Sequence, residues 1–238
     1  MEKSIKPSIG YFEPSVVFCR ITGEKGGHLL HGQLSNHING LKPGEGNYNL
    51  LLTQKGKVAA DLYVYRRDAD YLLIIDKPGE QKVIDHLRKF APLSRVEIGD
   101  ETSKYFLVHA FGTTPVHFSF FRSDRLGLPG HDLFVPAGEK NKLLAWLKQA
   151  NLPAITPETQ EIIRVEQGVC KVGIDATEEN LPQECRLDRA LPGASFRQGM
   201  LPGAGDNRPA SLSRTCEQNS FGTQARCGPA GEIGHPCF

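Results

Sequence analysis

Asp61 stands inside a run of β-branched and aromatic residues, with Tyr48 before it and Tyr65 after it along the chain. A carboxylate in such a place can accept a proton or stabilise a developing cation beside it. The two tyrosines offer faces suited to a flat aromatic ring. The same residues also read as a solvated strand-end carboxylate and as ordinary strand aromatics packed on a core. Glu166, near the end of a predicted helix, is a carboxylate that can accept two hydrogen bonds, which lysine or leucine cannot. It reads equally as an exposed helix-end glutamate. Asn36 suits a helix-end cap. The offsets of His28, His31 and His37 do not put all three on one helical face, and no carboxylate falls between them at ligand spacing, so no metal site is expected. Six cysteines (Cys19, Cys170, Cys185, Cys216, Cys227 and Cys237) form no C-x-x-C pair, which argues against a zinc ribbon or a thioredoxin-like site. Cys170 and Cys185 read as small hydrophobes or exposed thiols.

The elements that must position these residues follow from periodicity. Residues 16–21 are a short β-branched and aromatic run, a predicted strand. After Gly26 and Gly27, the residues Leu30, Leu34, Ile38 and Leu41 fall at helical spacing, which predicts a helix ending near Gly40. Three strand-like runs follow, at 48–54, Val58–Arg66 and Tyr71–Asp76, joined by connections short enough for antiparallel hairpins. Pro78 and Gly79 open an amphipathic helix through Phe90, with Val83, Ile84, Leu87 and Phe90 on one face. The pattern then repeats in outline. Tyr105–Phe111 and 116–121 read as paired strands, 132–135 as a third, 139–149 as a helix bearing Trp146, and 157–167 as a helix capped by Thr156. Hairpins interspersed with helices predict an α+β fold with antiparallel sheets and two similar halves, near 10–98 and 99–199.

Composition narrows the function classes. The 238 residues are 39% hydrophobic and 23% charged with a formal net charge of +1, an ordinary globular profile. Near-neutral charge gives no reason to expect direct nucleic-acid or membrane binding. Glu2, Lys3 and Lys6 interrupt the N-terminus, so it does not read as a secretory signal, and no apolar run approaches the roughly 18 residues of a membrane span. A cytoplasmic protein is expected.

Read together, several stretches resemble the glycine-cleavage T-protein (GcvT) superfamily, and in particular its YgfZ branch. Residues 29–41 (LLHGQLSNHINGL) resemble the family's "F-L-q-g-q-l-T-N-D-v" helix, and residues 48–65 (YNLLLTQKGKVAADLYVY) its "Y-x-l-l-L-n-x-k-G-k-v-x-x-D" hairpin. Residues 164–175 (RVEQGVCKVGID) resemble "R-x-E-a-G-i-p-x-x-G-x-D", and residues 177–184 (TEENLPQE) continue it as YgfZ-type sequences do. The resemblance implies a tandem, ferredoxin-like folate-binding unit followed in the family by a small β-barrel. It places Asp61, Tyr48, Tyr65, Glu166 and Asn36 at folate-site positions, with Asp61 near the folate's reactive nitrogen and Glu166 on the pterin. T-proteins move a one-carbon unit from an aminomethyl-lipoyl carrier protein to tetrahydrofolate and release ammonia, which would make Asp61 catalytic. The YgfZ branch binds folate and is associated with maturing or repairing iron–sulfur proteins, including tRNA-modifying enzymes. Ala60 stands where the T-protein has the first of two adjacent aspartates, which counts against the transferase reading.

From Met200 the character changes. The remaining residues contain no valine, lysine, tyrosine or tryptophan and show neither period, so they read as a disordered tail, with the family's barrel absent. Yet residues 195–199 (SFRQG) resemble the family's "S-F-x-K-G", after which the hallmark cysteine should come. The single methionine codon of Met200, read one base later and followed by leucine, yields a cysteine codon. In the same shifted frame, residues 201–206 permit Y-L-G-Q-E-T. Residues 200–238 are therefore expected to be out of frame or truncated, and a bare folate-binding module without activity is a further expectation.

Overall fold

The architecture follows from strands whose alternate residues differ in what they meet. A computed structural model describes residues 7–113, 118 and 120–187, all within one unit of the chain, Met1–Gly205. The strands are β1 (Gly10–Phe12), β2 (Val16–Thr22), β3 (Gly46–Leu52), β4 (Val58–Arg66), β5 (Tyr71–Asp76), β6 (Glu97–Asp100), β7 (Tyr105–Phe111), β8 (Phe120–Arg122) and β9 (Gly130–Pro136). The helices are α1 (Gly26–Gln33), α2 (Glu80–Ser94), α3 (Lys140–Gln149) and α4 (Pro157–Glu166). They form an α+β fold with two antiparallel sheets, ordered β3-β4-β5-β2-β6 and β1-β7-β9-β8. Among the described residues there is no closed barrel.

The period of two along β4 separates two cores. Ala60, Leu62 and Val64 pack with Leu29 and Leu30 of α1 and Val83 and Leu87 of α2. Tyr63 and Tyr65 face the other way, joining Tyr48, Leu50, Leu72 and Ile74 and, from the second sheet, Leu107, Phe121 and Phe134. The two sheets therefore pack face to face, with α1 and α2 outside the larger one. Outside the smaller sheet, Leu143 and Leu147 of α3 cover Val108, Ala110, Leu133 and Val135. Phe12, Phe111, Leu126 and Ile163 of α4 form a further buried cluster.

Several expectations change. α1 stops at Gln33, and Leu34 is already extended (φ −116°, ψ 160°). The reason is competition from side chains: the Ser35 hydroxyl accepts from Leu50 N (2.8 Å) and Asn49 Oδ1 accepts from Asn36 N (3.0 Å), so the chain leaves the helix to pair with β3. Leu34 and Ile38 still reach the α1–α2 core, which is why their spacing mimics a helix. The expected pairing of Tyr105–Phe111 with 116–121 is not found: β7 pairs with β1 and β9, and β8 lies beyond β9. Residues 116, 117 and 119 of that run lie outside the described residues, as do 114, 115 and everything after 187. α2 runs past Phe90 to Ser94 and ends on Arg95 in the left-handed region (φ 51°). β1 joins the sheet of β7, and β6 that of β2.

Candidate functional site

The β3–β4 hairpin carries the site. Its register sets Leu50 opposite Asp61 and Tyr48 opposite Tyr63, so the Tyr48 side chain is a diagonal neighbour of Asp61 on the inter-sheet face. The Tyr48 hydroxyl donates to Asp61 Oδ2 at 3.1 Å. Burial first, and the neighbouring Asp76 charge second, push the Asp61 carboxyl up to about 7, against the opposing pull of the Tyr48 hydrogen bond and the Arg125 charge. Burial likewise pushes the Tyr48 and Tyr63 phenols well above their ordinary value. An acid that titrates near neutrality, beside two aromatic rings, can give or take a proton at pH 7.

Behind it lies a charged network that the sequence did not single out. Arg125, whose side chain is 7% exposed, donates from Nε to Asp132 Oδ2 (2.7 Å) and from Nη1 to Asp76 Oδ1 (3.0 Å). Its guanidinium sits 4.5 Å from the Tyr63 ring centroid. Asp132 is fully buried and also accepts from Ser123 Oγ (2.7 Å) and His109 Nδ1 (2.8 Å). Burial alone would raise the Asp132 carboxyl, but the Arg125 charge and the His109 hydrogen bond outweigh it and hold it well below the usual carboxylate range. Only the Asp61–Asp76 relation carries a signal in the sequence, because both aspartates lie on predicted neighbouring strands. Arg125 and Ser123 come from a loop with no periodicity.

The other expected residues are placed as follows. Asn36, 8% exposed, donates from Nδ2 to the Tyr48 carbonyl (3.1 Å), and its Oδ1 accepts from His37 N (2.7 Å). It supports the strand that carries Tyr48. Tyr65 faces the same layer as Asp61 but four residues further along β4, about 13 Å away. There its ring meets Phe134 edge-on at 4.9 Å. Glu166 closes α4 at an exposed position. In that turn the buried polar residue is Arg164, whose Nη1 donates to the Val169 carbonyl and to Asp175 Oδ2, each at 2.5 Å. Arg164 and Asp175 thus fasten the 164–175 segment. Ala60 points to the helix-covered core, fully buried, on the opposite side of β4 from Asp61. A carboxylate at position 60 would not share Asp61's surroundings, so Ala60 takes nothing from that face. Among the described residues no cluster of His, Cys, Asp and Glu could hold a metal ion. Burial pushes the Cys170 thiol up to about 12, with a hydrogen bond to Cys185 adding to it.

Space at the site is small. A cleft of about 40 Å³ is lined by Gly46, Asn47, Tyr48, Tyr63, Ser123 and Asp124, with Arg122 at its edge. That holds water rather than a fused ring. A larger cleft of about 510 Å³ lies between the start of α1 and Arg66 and Tyr71, and none of the residues around Asp61 lines it. No helix among the described residues is long and apolar enough to cross a membrane.

Comparison with known proteins bears on the fold. The GCVT N-terminal domain family matches residues 4–114, which include β1 to β7 and hence Tyr48, Asp61 and Asp76. An uncharacterized protein of Aquifex aeolicus is 38% identical over 85 residues, 36% of this chain and 56% of that protein. An aminomethyltransferase of Thermus thermophilus is 24% identical over 208 residues, 75% of this chain and 60% of the relative. The crystal structure of the glycine cleavage system aminomethyltransferase T from Bartonella henselae shares the fold, with a TM-score of 0.63 at 20% identity over 74% of this chain and 56% of that one. The chain thus spans 56% to 60% of the length of these three proteins. The match over residues 4–114, the aminomethyltransferase relatives and the shared fold together support placing this chain in the GcvT-like superfamily.

Proposed function

We propose that the chain is a folate-binding protein whose ligand lies against Tyr48 and Asp61. The observation that carries this reading is their hydrogen-bonded pair on the inter-sheet face of β4, inside the segment matched by the GCVT N-terminal domain family. A reduced folate offers basic ring nitrogens and flat rings, which suit an acid titrating near pH 7 and buried aromatic faces. The 40 Å³ cleft beside Tyr48 must open toward Asp61 to admit it, and the Arg122–Asp124 pair that lines it (3.7 Å), with Arg122 exposed and Asp124 half-buried, is the part least costly to move. Glu166 and Tyr65 are proposed as further folate contacts, and Asn36 as the support of Tyr48.

Within this reading the finer role is of YgfZ type: an accessory protein for maturation or repair of iron–sulfur proteins, including tRNA-modifying enzymes, with those proteins as partners. The TEENLPQE stretch and the shifted-frame cysteine after Gly199 support it. A second reading, a tetrahydrofolate-dependent aminomethyltransferase using a lipoyl carrier protein with Asp61 catalytic, is favoured by the aminomethyltransferase relatives, and Ala60, which faces away from Asp61, does not weigh against it.

Titration of the full chain with tetrahydrofolate, followed by tyrosine and tryptophan fluorescence, tests the common part. Saturable binding that is lost in Asp61→Asn supports it; no binding sinks it. Ammonia release from an aminomethylated carrier protein then singles out the transferase. Resequencing the codons for residues 196–206 tests the shifted frame: one base fewer restores the cysteine motif.

A further inference from the structure

The ladder between β4 and β5 pairs Leu62 with Ile75, so its next step sets Asp61 opposite Asp76. Tyr63 and Tyr65 on β4 and Leu72 and Ile74 on β5 all face the inter-sheet core, and by the same alternation both aspartates do too. Directly opposed like charges destabilise a sheet, so a cross-strand carboxylate pair beside a buried layer persists only where something offsets it. Arg125 is that something: its Nη1 is 3.0 Å from Asp76 Oδ1, while Asp132 grips the other side of the guanidinium.

We propose that Asp61 and Asp76 work as one carboxylate pair, in which Arg125 ion-pairs with Asp76 and leaves Asp61 as the member that takes up and releases the proton. Asp76 and Arg125 are positioning residues, and Asp61 is the group that meets the ligand; that last role rests on the folate-binding reading. The groups facing Asp61 are Tyr48 on β3, Tyr63 on β4, Asp76 on β5 and Arg125 from the β8–β9 loop, with Asp132 and His109 behind Arg125. Of these, Asp76 disfavours the Asp61 anion, while Tyr48 and Arg125 favour it. In use, the Asp61 carboxyl O–H gives its proton to a basic ligand nitrogen, leaving a carboxylate beside the new cation, and recovers it in reverse.

The test is the titration of Asp61 in the full chain, read by carboxyl-carbon NMR with labelled aspartate, in the wild type and in Asp76→Asn and Arg125→Gln. Removing the Asp76 charge should lower the Asp61 midpoint by roughly one pH unit, and removing the Arg125 charge should raise it. An unchanged Asp61 midpoint in Asp76→Asn overturns the proposal, as does a downward move in a folded Arg125→Gln. Should Arg125→Gln fail to fold, Asp76→Asn decides alone, because the Asp76 side chain is 41% exposed, asparagine keeps an oxygen to accept from Arg125 Nη1, and Asp132 still holds the guanidinium. The pH dependence of tetrahydrofolate affinity, measured alongside, should move with the midpoint. A moved midpoint in a chain that binds no folate upholds the pair and removes the folate reading.

Discussion

The Tyr48 hydroxyl crosses diagonally from β3 to β4 and donates to Asp61 Oδ2, so the phenol and the carboxyl share one hydrogen bond inside the inter-sheet layer. That bond favours the ionised carboxyl. Tyr48→Phe should therefore raise the Asp61 midpoint above its value of about 7 and cost about 1 kcal/mol of stability. Carboxyl-carbon NMR and urea denaturation check the two effects. A midpoint that falls instead would mean that the bond serves the protonated acid.

Asp61 makes stability fall as pH rises. Its carboxyl is raised from 3.8 to about 7 in the folded chain, so between these values the folded state binds more protons than the unfolded one. Stability is therefore lost across that window and levels off above it. Asp61→Asn removes the effect, so the Tm of the variant relative to the wild type should be higher at pH 8 than at pH 4. Parallel curves for the two proteins would show that the carboxyl titrates as it does in an unfolded chain.

Asn36 is buried and uses both ends of its amide, one on the Tyr48 carbonyl and one on His37 N. Asn36→Ala should cost about 1–3 kcal/mol, because the Tyr48 carbonyl loses its side-chain donor. Asn36→Asp lacks that donor as well and should recover none of the loss at pH 8. Urea midpoints of the two variants decide it.

Arg164 and Glu166 are close in sequence but should part in experiment. Arg164→Ala removes the bonds to Val169 and Asp175 and should cost about 2 kcal/mol or more. Glu166→Ala, at an exposed site, should change stability by under about 1 kcal/mol while weakening tetrahydrofolate binding. Thermal melts and a folate titration of both variants separate fastening from ligand contact. Unchanged affinity in Glu166→Ala would remove that residue from the site.

Much of the fold could be read along the chain because period-two and helical patterns are local. Val58–Arg66 and Tyr71–Asp76 keep their expected bounds, and Val83 and Leu87 face the core as their spacing implies. β1 and β6 were missed, since GYF and EIGD are too short to show alternation. The end of α1 was misplaced because Ser35 and Asn36 find partners on β3, a choice made by residues distant in sequence. At the site, Asp61 and Tyr48 could be found in one hairpin. Arg125, His109 and Asp132 could not, because what unites them is the β7–β9 register, which sets His109 opposite Asp132, and a loop that brings Arg125 back onto Asp132.

The position of β1 has a kinetic consequence. Gly10 pairs with Phe111, and Tyr11 with Ala110, so a strand made before the whole of the larger sheet belongs to the sheet that is completed after it. Until β7 and β9 exist, Phe12 has none of its partners in the Phe111–Leu126–Ile163 cluster. The larger sheet, by contrast, needs only residues up to Asp100. Folding should thus run in two stages, a faster one for the larger sheet and a slower one limited by the high contact order of β1. In refolding, a probe in the β3–β4 hairpin would settle before one at Phe12, and β1 would stay unpaired in the nascent chain in the meantime.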